Sequence, residues 1–428
     1  MWNLSRMPAI LALVASSLGL LFAGFSTYDY VKHLDRQLHA VHCSFTPGIA
    51  AATDADNACR TAMYSAYGAL FRGTWWGGVP VSLFALGLYV FFAAFAVALI
   101  VGGPRASKRA YQFMGFASLG PLVVSVIMAF IAAVRLGVFC KTCVGLYVAS
   151  ALLAAAGIWG MVQLRRLSFL DAFAASVPAN AGPAGTIPQP PVMPSAPVQG
   201  MPQGNVGAIA IWLAALGLCV GVPSIIYVNA LPDFRPLLSS CGTIAQPKSK
   251  VLVPLATISP KRDATVVADP LCPTCKGLHD RLVAEGAMEN LNASLVLMPL
   301  DSSCNWMLDR SLHPGSCILS KAVICADPRS REALEWMYSN QEELAALAKA
   351  GDSLLRSRLR THFGEAIDTC IDAKQTSVRL NNILQYAVTN ELPVSTPQLY
   401  LGDLRICDED SDLGLRFTLA QLAPEVLP

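Results

Sequence analysis

The chain has 428 residues, 54% of them hydrophobic and only 14% charged, with a formal net charge of +2. That balance is not that of a wholly water-soluble domain, and it leaves no basic footprint for nucleic acid; it fits a membrane protein carrying at least one soluble domain. Thirteen cysteines, most of them outside the apolar runs, point to the oxidising side of a membrane.

Five apolar runs are long enough to cross a bilayer as helices, which takes ~20 residues: 7–28, 79–102, 113–136, 144–164 and 206–228. A cleaved signal peptide also begins with a basic residue such as Arg6, but the first run is long and no small-x-small site follows it. A retained helix is therefore expected. Arg105, Lys108 and Arg109 lie between the second and third runs, and Arg165 and Arg166 follow the fourth. The positive-inside rule makes these places cytoplasmic. Counting spans then sets three elements on the outer face: the 29–78 loop, the stretch Phe139-Cys140-Lys141-Thr142-Cys143, and everything after the fifth span.

The outer loop holds Cys43 and Cys59. Its 54–71 stretch reads as an amphipathic helix on the membrane surface, with Trp75 and Trp76 as interfacial anchors. Spacing alone leaves the two cysteines equally readable as a structural staple. Residues 168–204 are rich in proline, alanine and glycine, form no core and predict a flexible cytoplasmic linker. Cys219, inside the fifth run without a partner on its helix, reads as packing.

From residue 231 the composition is that of a soluble domain. A β-branched run over 264–268 leads directly into Asp269-Pro-Leu-Cys272-Pro-Thr-Cys275, and a helix over 276–285 follows. Strand, Cys-x-x-Cys and helix in that order mark a thioredoxin-like site. Then come a strand at 294–298 and helices around 316–326, 331–350, 353–362 and 376–389. A proline-containing turn enters a strand over 394–402, with a partner strand at 404–407 and a last helix over 415–422. The expected fold is a multi-domain membrane protein. It comprises an all-α four-helix transmembrane bundle, a fifth transmembrane helix and an α/β thioredoxin-like domain with a helical insertion.

Cys272 is expected at the first turn of a helix, where unpaired backbone N–H groups and the helix dipole favour a thiolate. Cys275, one turn on, would be the more buried resolving thiol. Pro397, after Thr396, is expected in the cis form facing the pair, with the backbone beside it open to an extended substrate. Disulfide exchange needs thiolate, disulfide and leaving thiol in line, and no metal. A zinc site would require two further ligands at familiar spacing, which this domain does not supply. Cys140 and Cys143 open the fourth span one turn apart, at the membrane edge and within reach of something dissolved in the lipid. Tyr147 shares a helix face with Cys143. Cys241, Cys304, Cys317, Cys325, Cys370 and Cys407 form an even set for structural bridges, with Cys304–Cys317 and Cys325–Cys370 the expected pairs. His42 and His313 are expected at the surface, because exchange through a low-pKa thiolate needs no base.

In these motifs the chain resembles a known family. Residues 1–164 look like a bacterial member of the vitamin K epoxide reductase family. The residues that carry the likeness are Cys43 and Cys59, Ser65 six places after Cys59, Gly78-Val-Pro80, and Cys140-Lys-Thr-Cys143 with Tyr147. Residues 231–428 resemble a periplasmic thioredoxin-like disulfide oxidoreductase, through Cys272-Pro-Thr-Cys275 and Thr396-Pro397. The likeness implies an electron relay: Cys272–Cys275 oxidises dithiols in exported proteins, Cys43–Cys59 reoxidises it, and Cys140–Cys143 passes the electrons to a membrane quinone of the ubiquinone or menaquinone class. It also implies that Cys43 meets the thioredoxin-like domain, that Cys59 meets Cys140, and that Cys143 faces the quinone with Tyr147 and Ser65 at or near that pocket. Fifteen residues separate Cys43 from Cys59, more than is usual in the family.

The expected organisation is a membrane domain at 1–164, a linker at 165–205, a fifth helix at 206–230 and the thioredoxin-like domain at 231–428. It would lie in a bacterial inner membrane with that last domain in the periplasm. A reductant carrier or a disulfide reductase or isomerase running the opposite way is the rival enzyme reading. A non-enzymatic module stapled by disulfides is the other, and two Cys-x-x-Cys motifs argue against it because such small loops cross-link nothing distant.

Overall fold

Chain segments that lack charge satisfy their backbone hydrogen bonds in lipid only as helices or closed barrels. The computed structural model describes residues 6–33, 59, 62–102, 108–137, 139–176, 207–238, 240–255 and 260–428. Cys43, His42 and most of the proline-rich segment lie outside the described residues. By packing, the chain forms two units, one of residues 1–32, 40–63 and 80–230, the other of residues 33–39, 64–79 and 231–428.

Among the described residues, the first unit holds five helical spans long and apolar enough to cross a membrane. They are α1 (Met7–His33), α2 (Val81–Gly102), a third span built from α3 (Lys108–Ala117) and α4 (Leu119–Ile131), α5 (Lys141–Ser176) and α6 (Gly207–Ala230). A π-helical turn over Ala132–Leu136 ends α4, and Gly137 stops it in the left-handed region. The fourth helix continues to Ser176, past the expected start of the linker.

Lipid gives no hydrophobic drive for helix pairing, so small residues and buried hydroxyls hold such bundles. Gly19 of α1 leaves room for the Tyr89 ring of α2, and Gly145 of α5 for Phe22 of α1. The Tyr89 hydroxyl and the Ser150 hydroxyl are 2.8 Å apart, and Ser125 donates to Ser150 at 2.8 Å, tying α2, α4 and α5 together. Against α6, Gly87 of α2 lies directly on the Cys219 carbonyl. Cys219 thus packs, as its isolation in the sequence suggests.

The second unit is built on a five-stranded sheet in the order β1-β3-β2-β4-β5. These strands are β1 (Val253–Leu255), β2 (Arg262–Ala268), β3 (Leu291–Leu297), β4 (Gln398–Leu401) and β5 (Leu404–Ile406). β2 and β3 run parallel with Val266 opposite Leu295, whereas β1–β3, β2–β4 and β4–β5 are antiparallel. The parallel pair needs a crossover, which α7 (Pro273–Ala284) supplies. β1 was not legible in the sequence because Pro254 sits in its middle; at a sheet edge a missing N–H costs little.

Between β3 and β4 the helical insertion comprises α8 (Ser316–Cys325), α9 (Ser330–Ser339), α10 (Gln341–Ala350), α11 (Asp352–Phe363), α12 (Ala366–Asp372) and α13 (Lys374–Thr389). The single helix expected over 331–350 is broken at Asn340, whose amide donates to the Trp336 carbonyl at 2.8 Å. The helix α14 (Leu415–Leu422) closes the unit where expected. Disulfides join Cys304 to Cys317 and Cys325 to Cys370, the expected pairs, and Cys241 to Cys407.

Residues 64–79 belong to this second unit. Gly78, at φ 72, lies so close to the Leu70 carbonyl that no Cβ fits. Trp76 is not an interfacial anchor. It is 2% exposed, its indole N–H donates to Asp410 at 2.8 Å, and its ring packs on Phe234 with centroids 4.7 Å apart. A buried donor satisfied by a carboxylate outcompetes the membrane interface for this side chain.

Replacing Gly87 by Leu is expected to push α2 and α6 apart and lower the thermal midpoint of the purified protein by several degrees. Gly217→Leu, on α6 where nothing lies within 4 Å, is the control and should leave the midpoint unchanged.

Candidate active site: two dithiol centres

The first centre forms where the start of α5 meets the segment around Cys59. Cys140 immediately precedes α5 and is 5% exposed; Cys59 is 2% exposed. Their sulfurs are 2.8 Å apart. Cys59 is itself disulfide-bonded, whereas Cys140 and Cys143 are free thiols. A thiol against one sulfur of a disulfide is the geometry of exchange, which runs in either direction. Thr142 contributes its hydroxyl to Cys140 at 2.9 Å, and Cys143 packs on the Cys59–Cys140 contact. Tyr147 follows one turn along α5 and is half-buried.

The second centre forms where β2 ends. Cys272 has extended backbone and caps α7, Pro273 occupies its first turn, and Cys275 lies one turn on. Pro is favoured there because its missing N–H has no helical partner to lose. Cys272 is 4% and Cys275 2% exposed. The Thr274 hydroxyl lies 2.9 Å from the Cys272 sulfur, and the Thr396 carbonyl lies 3.7 Å away. The Thr396–Pro397 bond is cis, the isomer the sequence pattern suggests.

The two thiols are pushed apart electrostatically. The Cys275 hydrogen bond, followed by those of Thr274 and Thr396, lowers the Cys272 pKa to about 5, against an opposing cost of burial. Burial pushes the Cys275 thiol well up, and the neighbouring Cys272 adds to it. One sulfur is thus the nucleophile at neutral pH and the other stays protonated.

Three supports of this centre were missed in the sequence. Gln341, at the start of α10, donates to the Pro270 and Cys272 carbonyls at 3.0 and 3.1 Å, clamping the turn from the helical insertion. Asp269 is fully buried and accepts from the Leu271 and Leu300 N–H groups at 2.7 and 2.8 Å. His313, expected at the surface, is half-buried and donates from Nδ1 to Asp269 at 2.8 Å. That hydrogen bond raises the His313 pKa above its ordinary value. Gln341 and His313 left no sequence signal, since they sit 69 and 41 positions from Cys272 along the chain. A signal did exist for the threonines: Thr stands third in both Cys-x-x-Cys motifs.

Ser65 lies in the turn after the Cys59 segment and accepts from the Tyr67 N–H at 3.3 Å. It falls in the second packing unit, Tyr147 in the first.

Residues 10–158 match the model of the vitamin K epoxide reductase family. The chain is accordingly a multi-pass membrane protein and, with a dithiol centre in each of its two units, a thiol–disulfide oxidoreductase. Over the C-terminal part it is similar to the oxidoreductase NmDsbA1 from N. meningitidis, at 14% identity over 43% of this chain and 91% of that one, with a TM-score of 0.29. Reduced DsbA1 from Neisseria meningitidis is similar at 12% identity over 43% of this chain and 92% of that one, with a TM-score of 0.28. Comparison with curated proteins finds no match. The strand order and the cysteine-capped helix, rather than these likenesses, define the C-terminal fold as thioredoxin-like.

In the reduced protein, alkylation of Cys272 by iodoacetamide should rise through pH about 5 and level off above it. The sign follows from a depressed pKa: thiolate stabilisation of the reduced fold is complete above the unfolded value of 9.0 and is lost as pH falls through about 5. Thr274→Val removes one hydrogen bond to the thiolate and should move the alkylation midpoint up by about one unit.

Proposed function

We propose that the protein promotes disulfide formation in exported proteins and passes the electrons to a membrane quinone. Dithiols of the substrate reduce Cys272–Cys275, which is reoxidised by Cys43–Cys59, which in turn reduces Cys140–Cys143. Each transfer moves two electrons as one disulfide breaks and another forms. The reading rests on one observation above all, the 2.8 Å contact between the Cys59 and Cys140 sulfurs. It joins a loop disulfide to a thiol pair at the start of a membrane span.

The low pKa of Cys272 favours this direction. A thiolate stabilised in the reduced state makes the disulfide form a stronger oxidant. Pro397 and the Thr396 carbonyl, beside the Cys272 sulfur, are the place for an extended substrate chain. A quinone of the ubiquinone or menaquinone class would accept two electrons and two protons. Within this chain, Cys143 supplies a thiol at the membrane edge, and the Tyr147 hydroxyl one turn along can donate a hydrogen bond to the acceptor oxygen. The reading sets both dithiol centres on the periplasmic side of an inner membrane, and the basic residues Arg105, Lys108, Arg109, Arg165 and Arg166 support it through the positive-inside rule.

Purified protein in lipid should oxidise a reduced peptide in a quinone-dependent manner. Cys143→Ala should abolish quinone reduction and trap Cys140 with Cys59. Tyr147→Phe should slow it by ~10²-fold if the hydroxyl acts mainly on the transition state, with exchange at Cys272–Cys275 unchanged. Electrons flowing instead from a cytoplasmic donor to the peptide disulfide would refute the direction.

A further inference from the structure

The C-terminal unit is discontinuous: besides residues 231–428 it contains residues 64–79, which the sequence places before the second membrane span. Three anchors hold this segment. Tyr64 lies under the Arg281 guanidinium, 5.8 Å from ring centroid to carbon, and Arg281 in turn donates to the Ser411 carbonyl at 2.9 Å. Arg72, 10% exposed, pairs at 2.5 Å with Glu285, which is 3% exposed and also takes Arg416 at 2.7 Å. Trp76 inserts last, bonded to Asp410 and packed on Phe234.

The receiving surface is shaped for this occupant. Any Cβ at Gly414 would overlap the Trp76 ring. Asp410, fully buried, keeps its carboxylate where the indole N–H arrives. Gly73 passes with room for a Cβ only 3.9 Å from that of Ala420 on α14. Buried ion pairs and a buried indole hydrogen bond fix register and partner choice more than they add stability.

The covalent chain says what such docking does. Tyr64 follows Cys59 by five residues, which at full extension reach about 18 Å. Fixing Tyr64, Arg72 and Trp76 therefore limits how far the loop disulfide travels from the domain that carries Cys272. We propose that residues 64–76 are an intramolecular clasp that positions the thioredoxin-like domain for exchange with Cys43–Cys59 of the same chain. Arg72 and Trp76 serve as positioning residues. The inference rests on the relay reading above. The step it serves is the attack of the Cys272–Cys275 dithiol on the loop disulfide, in which one disulfide forms, one breaks and two electrons pass. Holding the partners together raises their effective concentration without changing either centre.

The test uses the full-length protein in lipid with a quinone and a reduced peptide, resolving the first equivalent of peptide oxidised from the later steady turnover. The first equivalent reports Cys272–Cys275 alone, and the turnover reports its reoxidation. Trp76→Ala and Arg72→Ala are expected to keep the parent first equivalent and to slow turnover about tenfold. Gly73→Cys combined with Ala420→Cys should form a disulfide within one chain, since the two Cβ positions lie at a bridging distance, and should turn over at the parent rate. Parent turnover by Trp76→Ala would overturn the clasp. So would arrest of turnover on cross-linking, which would mean that the segment must leave, or a cross-link found only between two chains. A parent that gives the first equivalent but no quinone-dependent turnover sinks the relay, and the clasp's role with it.

Discussion

Both dithiol centres depend on one local constraint: a cysteine standing at the entrance to a helix. There the backbone N–H groups lack carbonyl partners and the helix dipole favours negative charge. In each centre a threonine two residues on brings its hydroxyl to 2.9 Å from the first sulfur. The second cysteine comes one turn later, deeper in the structure at Cys275 and against the Cys59–Cys140 contact at Cys143. At Cys272 and Cys275 a nucleophilic sulfur and a protonated one are thereby separated within four residues. The strand, the turn and the helical insertion serve mainly to hold that entrance in place, through Asp269 below the turn and Gln341 across it.

The membrane unit solves a different problem. Because lipid solvates apolar side chains as well as another helix does, the spans are joined where glycine permits close approach and where hydroxyls find each other. Tyr89, Ser125 and Ser150 connect three spans at one level. Ser150 lies on α5 seven residues beyond Cys143, two turns along the same face. The helix that opens with the redox pair is thus anchored by its own polar residues, so the start of α5 is set by packing farther along it.

Buried carboxylates in the C-terminal unit are shared among several donors. Glu285 takes two arginines, and Asp269 takes backbone, histidine and serine donors. Leaving either carboxylate short of its partners would cost several kcal/mol, about 3–5 for a broken buried pair. That cost makes the 64–79 segment part of the fold rather than a covering laid over it.

Much of this was legible in the residues themselves. Runs of some twenty apolar residues specify spans without any tertiary partner, because lipid imposes helix on them one at a time. Strand, Cys272-Pro-Thr-Cys275 and helix were readable because a turn and a helix start are local events, and of the two expected disulfides Cys304–Cys317 closes a loop of only 13 positions. The supports that came from far along the chain were not. Pro254 hid an edge strand whose existence depends on β3, and Asn340 broke a helix that its apolar pattern carried straight through. His313 read as a surface residue because its partner Asp269 lies 44 positions away. Trp75 and Trp76 next to an apolar run read as a membrane belt, the common fate of such a pair. Only tertiary structure placed Trp76 on Asp410 and Arg72 on Glu285, since the attraction of a buried carboxylate is invisible until the fold brings it within 3 Å.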